Sequence, residues 1–279
     1  MNTDLTGYKQ HLANESISQN TIITYTNRIK LYLRNASNEI TRESILQYLS
    51  SLNGSAKTIN LTVTALKSYC DYLYNGNHNL ILTKDKIKIQ EENFAPKVYG
   101  SEKISKMLSF IKQKENIRNY TIITLMYAAG TRVTETLFIK LTDINFTKNE
   151  LTIQKGKGKK QRTISLGKDI ITILKEYLLH RNEYKHAPTS SYLFVSQMGD
   201  HLNRDSINKI LDKYYTNFIQ VNPHQLRHEC ASRMIGTGTL NIVELKDFLG
   251  HSSIETTMRY THPDKKDMHN RIDKLSLFA

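Results

Sequence analysis

Residues 150–166 read Glu-Leu-Thr-Ile-Gln-Lys-Gly-Lys-Gly-Lys-Lys-Gln-Arg-Thr-Ile-Ser-Leu. Apolar and polar residues alternate over 150–154 and again over 161–166, the period of a half-buried strand. The segment between them, Lys155 to Lys160, carries two glycines and four lysines, so the spacing predicts an antiparallel β-hairpin with a strongly basic turn. On both sides of the hairpin the period becomes helical. Ser101 opens a stripe of Ile104, Met107, Leu108 and Ile111, and a second helix over 117–129 stops at Gly130, a residue that tolerates the left-handed backbone ending many helices. Helical segments follow near 168–181, 204–218, 224–235, 242–249 and 253–259. The expectation is a mainly α fold with a small antiparallel β-sheet.

Upstream, four short helices are predicted in about 75 residues: 3–12; a segment capped at Asn20-Thr21 with Ile22, Tyr25, Ile29, Tyr32 and Leu33 on one face; 41–52 with Ile45, Tyr48 and Leu49; and a stripe of Ile59, Val63, Leu66, Cys70 and Leu73 stopping near Gly76. Such stripes are core rather than binding surface. Residues 77–96 are polar and charged and end in Phe94-Ala95-Pro96, where proline disfavours helix at the residue before it. The sequence therefore divides into a helical N-terminal domain (1–85), a linker (86–96) and a C-terminal domain (97–279).

Charge narrows the partner. The 279 residues hold 39 Lys+Arg and 26 Asp+Glu, a net charge of +13. The first 93 residues contribute only +2 of it and the remainder +11; between Lys148 and Lys168 seven basic residues face the single acid Glu150. An excess so placed points to an anionic partner, with nucleic acid foremost. The two cysteines, Cys70 and Cys230, make no disulfide framework, as expected for a cytoplasmic protein. No basic segment followed by an apolar one opens the chain, and runs such as 122–126 are far short of the roughly 20 residues of a membrane helix. Neither a signal peptide nor membrane insertion is expected.

Four groups in the C-terminal domain could carry chemistry: Gly130-Thr131-Arg132-Val133-Thr134-Glu135; Lys157 in the hairpin turn; Pro223-His224-Gln225-Leu226-Arg227-His228; and Leu249-Gly250-His251-Ser252-Ser253, with Tyr260 nine residues after His251. Singly, each has a plainer reading as a surface ion pair, a helix-face coincidence or packing. Their order is what distinguishes them. An arginine, a hairpin lysine, His-x-x-Arg, Leu-Gly-His and then a tyrosine resemble the tyrosine recombinases of the phage-integrase class, closest in layout to the Xer-type enzymes. The two-part layout extends that resemblance over essentially the whole chain.

The resemblance implies a two-domain clamp closing on duplex DNA, with Arg132, Lys157, His224, Arg227, His251 and Tyr260 as catalytic residues and Glu135 in support. It implies transesterification: Tyr260 attacks a phosphodiester to give a 3′-phosphotyrosyl intermediate and a free 5′-hydroxyl, with no cofactor and no ATP. A phenol with a pKa near 10 needs a proton acceptor. His224 is the expected one. Arg132 and Arg227 would clamp the non-bridging oxygens, His251 would add a hydrogen bond, and Lys157 would protonate the leaving oxygen. Lys155, Lys159 and Lys160 compete with Lys157 by sequence alone. With Arg162, their expected task is DNA contact.

No metal site is expected. His224 and His228 are four apart, but Arg227 between them would repel a cation and no third ligand presents itself. The implied partner is double-stranded DNA with an inverted-repeat core site, bound by a homotetramer on two such sites, with a second recombinase or accessory factor as a possible addition. Residues 263–279 would pack on a neighbouring protomer or cap their own domain. The early first helix suggests a recombinase without an arm-binding domain, and the Lys-, Asn- and Ile-rich composition suggests a mobile-element enzyme for integration, excision or resolution. A type IB topoisomerase and a DNA-binding accessory protein are the alternatives. Two positions depart from the family pattern: Thr131 stands where leucine is usual, and Glu229 where a small hydroxyl residue often follows the Arg-His pair.

Overall fold

Local capping sets out the first helices. In a computed structural model describing residues 5–35, 40–81, 85–87, 98–154, 161–199, 201–213 and 221–260, the chain divides into two units, 1–92 and 93–279. The first holds α1 (Thr6–Asn14), α2 (Gln19–Asn35), α3 (Arg42–Ser51) and α4 (Ala56–Leu73). Thr41 and Ser44 form a reciprocal capping box on α3, and the Ser55 hydroxyl accepts from the Thr58 amide at the start of α4. The predicted stripes then meet in one core: Ile29, Tyr32, Ile45, Leu66 and Cys70 are all buried. Leu73, expected on the same stripe, is 41% exposed, because α4 gives out there at Tyr74. Asp85 receives two hydrogen bonds from Arg42, and Asn60 brackets the backbone of Ile87, so residues 85–87 are tied to this unit.

The second unit is built around α6 (Ile117–Ala129), packed between α5 (Ser101–Lys114), α8 (Lys168–Arg181) and α10 (Pro223–Gly236). Ile122, Ile123, Leu125 and Met126 are fully buried, so this apolar run is a core helix enclosed by others. Each such side chain contributes about 1.5–3 kcal/mol on burial. No helix among the described residues is long and apolar enough to cross a membrane. Gly130 ends α6 in the left-handed conformation. After it come α7 (Val133–Leu137), a 3-10 turn (Leu141–Asp143) and a three-stranded antiparallel sheet in the order β1 (Ile144–Asn145), β2 (Glu150–Ile153), β3 (Arg162–Ser165). Leu151 pairs with Ile164, and both face the core.

The fold is thus mainly α with a small antiparallel sheet, as the sequence periods predict. The helix expected over 204–218 is described as α9 (Arg204–Asp212). It ends at its C-cap Lys213, and residues 214–218, most of the linker, the hairpin turn 155–160 and the tail 263–279 lie outside the described residues. The last described helices are α11 (Ile242–Leu249) and α12 (Glu255–Met258). α11 ends, like α6, on a left-handed glycine, Gly250.

Candidate active site

Two helix ends create the site. The last carbonyls of an α-helix have no partner within it and carry the negative end of its dipole. α6 and α11 end side by side, and these carbonyls hold two arginines. Arg227, on α10 and only 2% exposed, donates to Gly130 O and to Leu249 O, the latter at 2.7 Å. Arg132, at the start of α7, donates to Gly250 O at 3.3 Å. Two of the five donors of the Arg227 fork are used this way, and the guanidinium is held rigidly.

Glu135 is the counter-charge. It lies one turn along from Arg132 and accepts that residue's backbone N–H and its guanidinium, both at 2.8 Å. Arg162 reaches in from β3 and takes both carboxylate oxygens, at 3.0 and 2.9 Å, while its Nε donates to Phe248 O at 2.9 Å. Burial alone would raise the Glu135 pKa, but the hydrogen bonds from Arg162 and Arg132 overcome it and hold the carboxyl at about 2. Three guanidinium groups and one carboxylate leave an excess of two positive charges. Burial, opposed by Glu135 but reinforced by Arg132, lowers the Arg227 pKa to about 10, so it stays protonated at neutral pH.

The histidines respond to that excess. His251 follows the left-handed Gly250, and its Nδ1 is hydrogen bonded to the buried Thr257 hydroxyl at 2.8 Å. Burial and then Arg227, Arg132 and Arg162 push its pKa down to about 4. His224, second residue of α10, is exposed, and its pKa is lowered by partial burial and by Arg227 and Arg132. One turn on, His228 packs its ring 4.4 Å from that of His224. Its Nδ1 meets the Tyr260 hydroxyl at 2.5 Å. Tyr260 is half-buried against Ala231, Leu245 and Leu249; burial raises its pKa, and Arg227 and Arg259 oppose the rise.

Of the residues singled out in the sequence, Arg132, Glu135, His224, Arg227, His251 and Tyr260 therefore come together at the ends of α6 and α11. Lys155, Lys157, Lys159 and Lys160 lie outside the described residues. Arg162, expected among the DNA contacts, has its guanidinium turned inward onto Glu135 and largely buried. His228 was not singled out as a site residue, although its place one helical turn after His224 puts both on one face of α10. Nothing local could have assigned it to Tyr260, 32 residues away. The arrangement can bind a singly or doubly charged anion, and it sets a phenol against a neutral imidazole beside that anion's place.

Residues 97–267 match the phage integrase family, and residues 5–77 match the phage integrase N-terminal SAM-like domain. The chain is 33% identical to the TnP I resolvase of Bacillus thuringiensis, over 96% of this chain and 98% of that one. It is also 33% identical to the tyrosine recombinase XerA of Pyrococcus furiosus, over 97% and 93% of the two chains. Among solved structures, XerH site-specific recombinase bound to a palindromic difH substrate superposes with a TM-score of 0.72 and 25% identity, over 91% of this chain and 79% of that one. A lambda integrase dimer on a core site shares the fold, with a TM-score of 0.70 over 98% of both chains at 18% identity.

Proposed function

The chain belongs to the phage integrase family, as a site-specific tyrosine recombinase that transfers DNA strands, and on that premise we propose that Tyr260 is its nucleophile and the arginine cluster its phosphate clamp. The observation that carries this reading is the Tyr260 hydroxyl, half-buried beside a neutral imidazole and close to a cluster of excess positive charge. In the forward step the Tyr260 Oη–P bond forms and the P–O5′ bond breaks. An imidazole of α10 takes the phenolic proton, and Lys157 supplies one to the departing 5′-oxygen. Arg132 and Arg227 bear the negative charge that gathers on the non-bridging oxygens. With Thr257 on its Nδ1, His251 offers Nε2–H to the same phosphate. Rejoining runs the steps in reverse, with the 5′-hydroxyl of the partner strand as attacker. One ester replaces another, so no external energy source is needed.

The substrate in this reading is duplex DNA with an inverted-repeat core site. The palindromic DNA held by the related XerH and the basic excess of residues 94–279 support it. The two units would close on that duplex, four protomers would bring two sites together, and Lys155, Lys159 and Lys160 would make salt-sensitive phosphate contacts. Likeness to a resolvase supports a role in a mobile element.

The test uses labelled, nicked duplexes tiled across the DNA flanking the encoding gene, incubated with wild-type protein and with Tyr260→Phe. An adduct that maps to one phosphate and disappears in Tyr260→Phe, with binding kept within about threefold, is the expected result. Adducts scattered over every duplex would point instead to topoisomerase-like relaxation. Loss of binding in Tyr260→Phe as severe as its loss of cleavage would remove the nucleophile's role.

A further inference from the structure

Two histidines of α10 stand near the nucleophile, but they are not equivalent. His224 lies at the exposed start of the helix. His228 is half-buried behind it, and its Nδ1 is the group hydrogen bonded to the Tyr260 hydroxyl. The two rings are tilted by 49° with centroids 5.5 Å apart, so they do not stack. For a phenol O–H to donate to Nδ1, that nitrogen must be bare and the ring proton must sit on Nε2, which is the neutral tautomer able to accept.

The surroundings enforce that state. The charged and titratable groups facing the imidazole are His224 and Arg227 from its own helix, Arg259 beside Tyr260, and His251 across from it. Burial and this positive company lower its pKa to about 4, so at neutral pH the ring is uncharged and free to take a proton. It is also a weak base until an anion arrives. A scissile phosphate held by Arg132 and Arg227 brings negative charge beside the ring and raises its basicity when the substrate is in place.

We propose that His228 is a catalytic residue that takes the Tyr260 proton during attack, a role that the family resemblance implies for His224. The inference rests on the strand-transfer reading above. As Oη–P forms, Oη–H breaks and the proton passes to His228 Nδ1, giving an imidazolium. The P–O5′ bonding pair leaves with the 5′-oxygen, which is protonated by Lys157. On rejoining, His228 returns its proton to the phenolate oxygen as the tyrosine departs.

Asparagine separates holding from proton transfer, because its Oδ1 can occupy the place of Nδ1 and accept the same hydrogen bond while being far too weak a base. The experiment measures single-turnover adduct formation on the nicked duplex mapped as above, from pH 5 to 9, with full-length wild-type protein, His228→Asn, His224→Asn, and His228→Gly with and without added imidazole. Thermal melting and duplex binding of each variant confirm that it is folded. The expected result is cleavage by His228→Asn slowed by about 100-fold or more with binding within about threefold. Its residual rate should climb towards pH 9, and imidazole should restore His228→Gly at least tenfold. Cleavage by His228→Asn within threefold of wild type would overturn the proposal, as would a loss in His228→Gly that imidazole does not relieve. A 100-fold loss in His224→Asn with imidazole-insensitive His228 variants would return the base to His224. If wild-type protein forms no Tyr260-dependent adduct on any duplex, the strand-transfer reading fails first and this assignment falls with it.

Discussion

Both oxygens of the Glu135 carboxylate are gripped by the Arg162 guanidinium, at 3.0 and 2.9 Å. The pair joins the root of the β-hairpin to α7, and through Arg162 Nε and Phe248 O it reaches the end of α11. Three separate parts of the second unit are thereby fixed around Arg132. Arg162→Ala would leave a largely buried carboxylate with Arg132 as its main partner, and breaking a buried pair costs about 3–5 kcal/mol. The retained Arg132 bond should keep the loss near the lower figure. Arg162→Lys keeps the charge but not the fork, so its loss should be smaller. Urea unfolding measures both; a wild-type midpoint in Arg162→Ala would show that the pair holds nothing together.

Acid should weaken the protein in two stages. His228 and His251 have folded pKa values of about 4 against ordinary values near 6.5. Between those limits the unfolded chain binds the extra protons, so stability is complete above about pH 6.5 and falls as the pH drops towards 4. The slope is at most about 1.4 kcal/mol per pH unit for each ring. Glu135 has the depressed carboxylate pKa of about 2, so its contribution is present above about pH 4.5 and is lost as the pH falls through 2. Thermal midpoints from pH 3.5 to 8 should be level above pH 7 and decline below 6.5, and His251→Asn should flatten the first decline. An unchanged slope in that variant would remove His251 from the account.

Much of this was legible in the sequence where the signal is local. α8 spans residues 168–181 as its period predicts, and Gly130 marks the end of α6 because only a residue tolerant of positive φ ends a helix this way. The short elements were not legible. α7 has five residues and β1 two, fewer than a helical stripe or a strand alternation needs to declare itself. The site divides along the same line. Arg132 and Glu135 are one turn apart and recognisable together, whereas Arg162 is 27 residues from Glu135 and reads, in its lysine-rich setting, as one more DNA contact. Only tertiary packing turns it inward. The same holds for His228, whose partner is supplied by another element.

Gly130 is constrained twice. Its φ is +57°, and a Cβ there would stand 2.7 Å from Leu249 Cδ2 and 3.2 Å from Cys230 Sγ. Its carbonyl also holds Arg227. Gly130→Ala should therefore cost more than about 2 kcal/mol, combining the left-handed penalty of roughly 1–2 kcal/mol with overpacking of about 1–3 kcal/mol. It should also slow adduct formation at least tenfold by shifting the arginine. Gly238 is the matched control: φ is +67° but nothing lies within 4 Å of the added Cβ. Gly238→Ala should show the backbone penalty alone, with cleavage near wild type. Equal losses in the two variants would mean that packing at Gly130 adds nothing.

Glu229, one of the two departures from the family pattern, has a structural task. Its side chain is buried at 2% exposure and its carboxylate accepts the backbone N–H groups of Tyr99 at 2.6 Å and Gly100 at 3.3 Å, with Gln225 Nε2 at 3.2 Å. Gly100 is the N-cap of α5 and has no side chain of its own to satisfy the helix's first amides. The carboxylate from α10 instead takes the amides of the N-cap itself and of the residue before it, and its charge suits the positive end of the α5 dipole. The helix carrying His224, Arg227 and His228 is thereby anchored to the segment entering the second unit. Serine, the kind of small hydroxyl residue usual at this place, is too short to reach both amides, and leaving a buried donor unpaired costs about 1–3 kcal/mol. Glu229→Ser should therefore lower the urea midpoint and speed hydrogen exchange at the Tyr99 and Gly100 amides. Glu229→Gln, which keeps an acceptor oxygen at full length, should lose less than half as much. Unchanged exchange at those two amides in Glu229→Ser would show that they do not depend on this carboxylate, and that Glu229 does not fix α10.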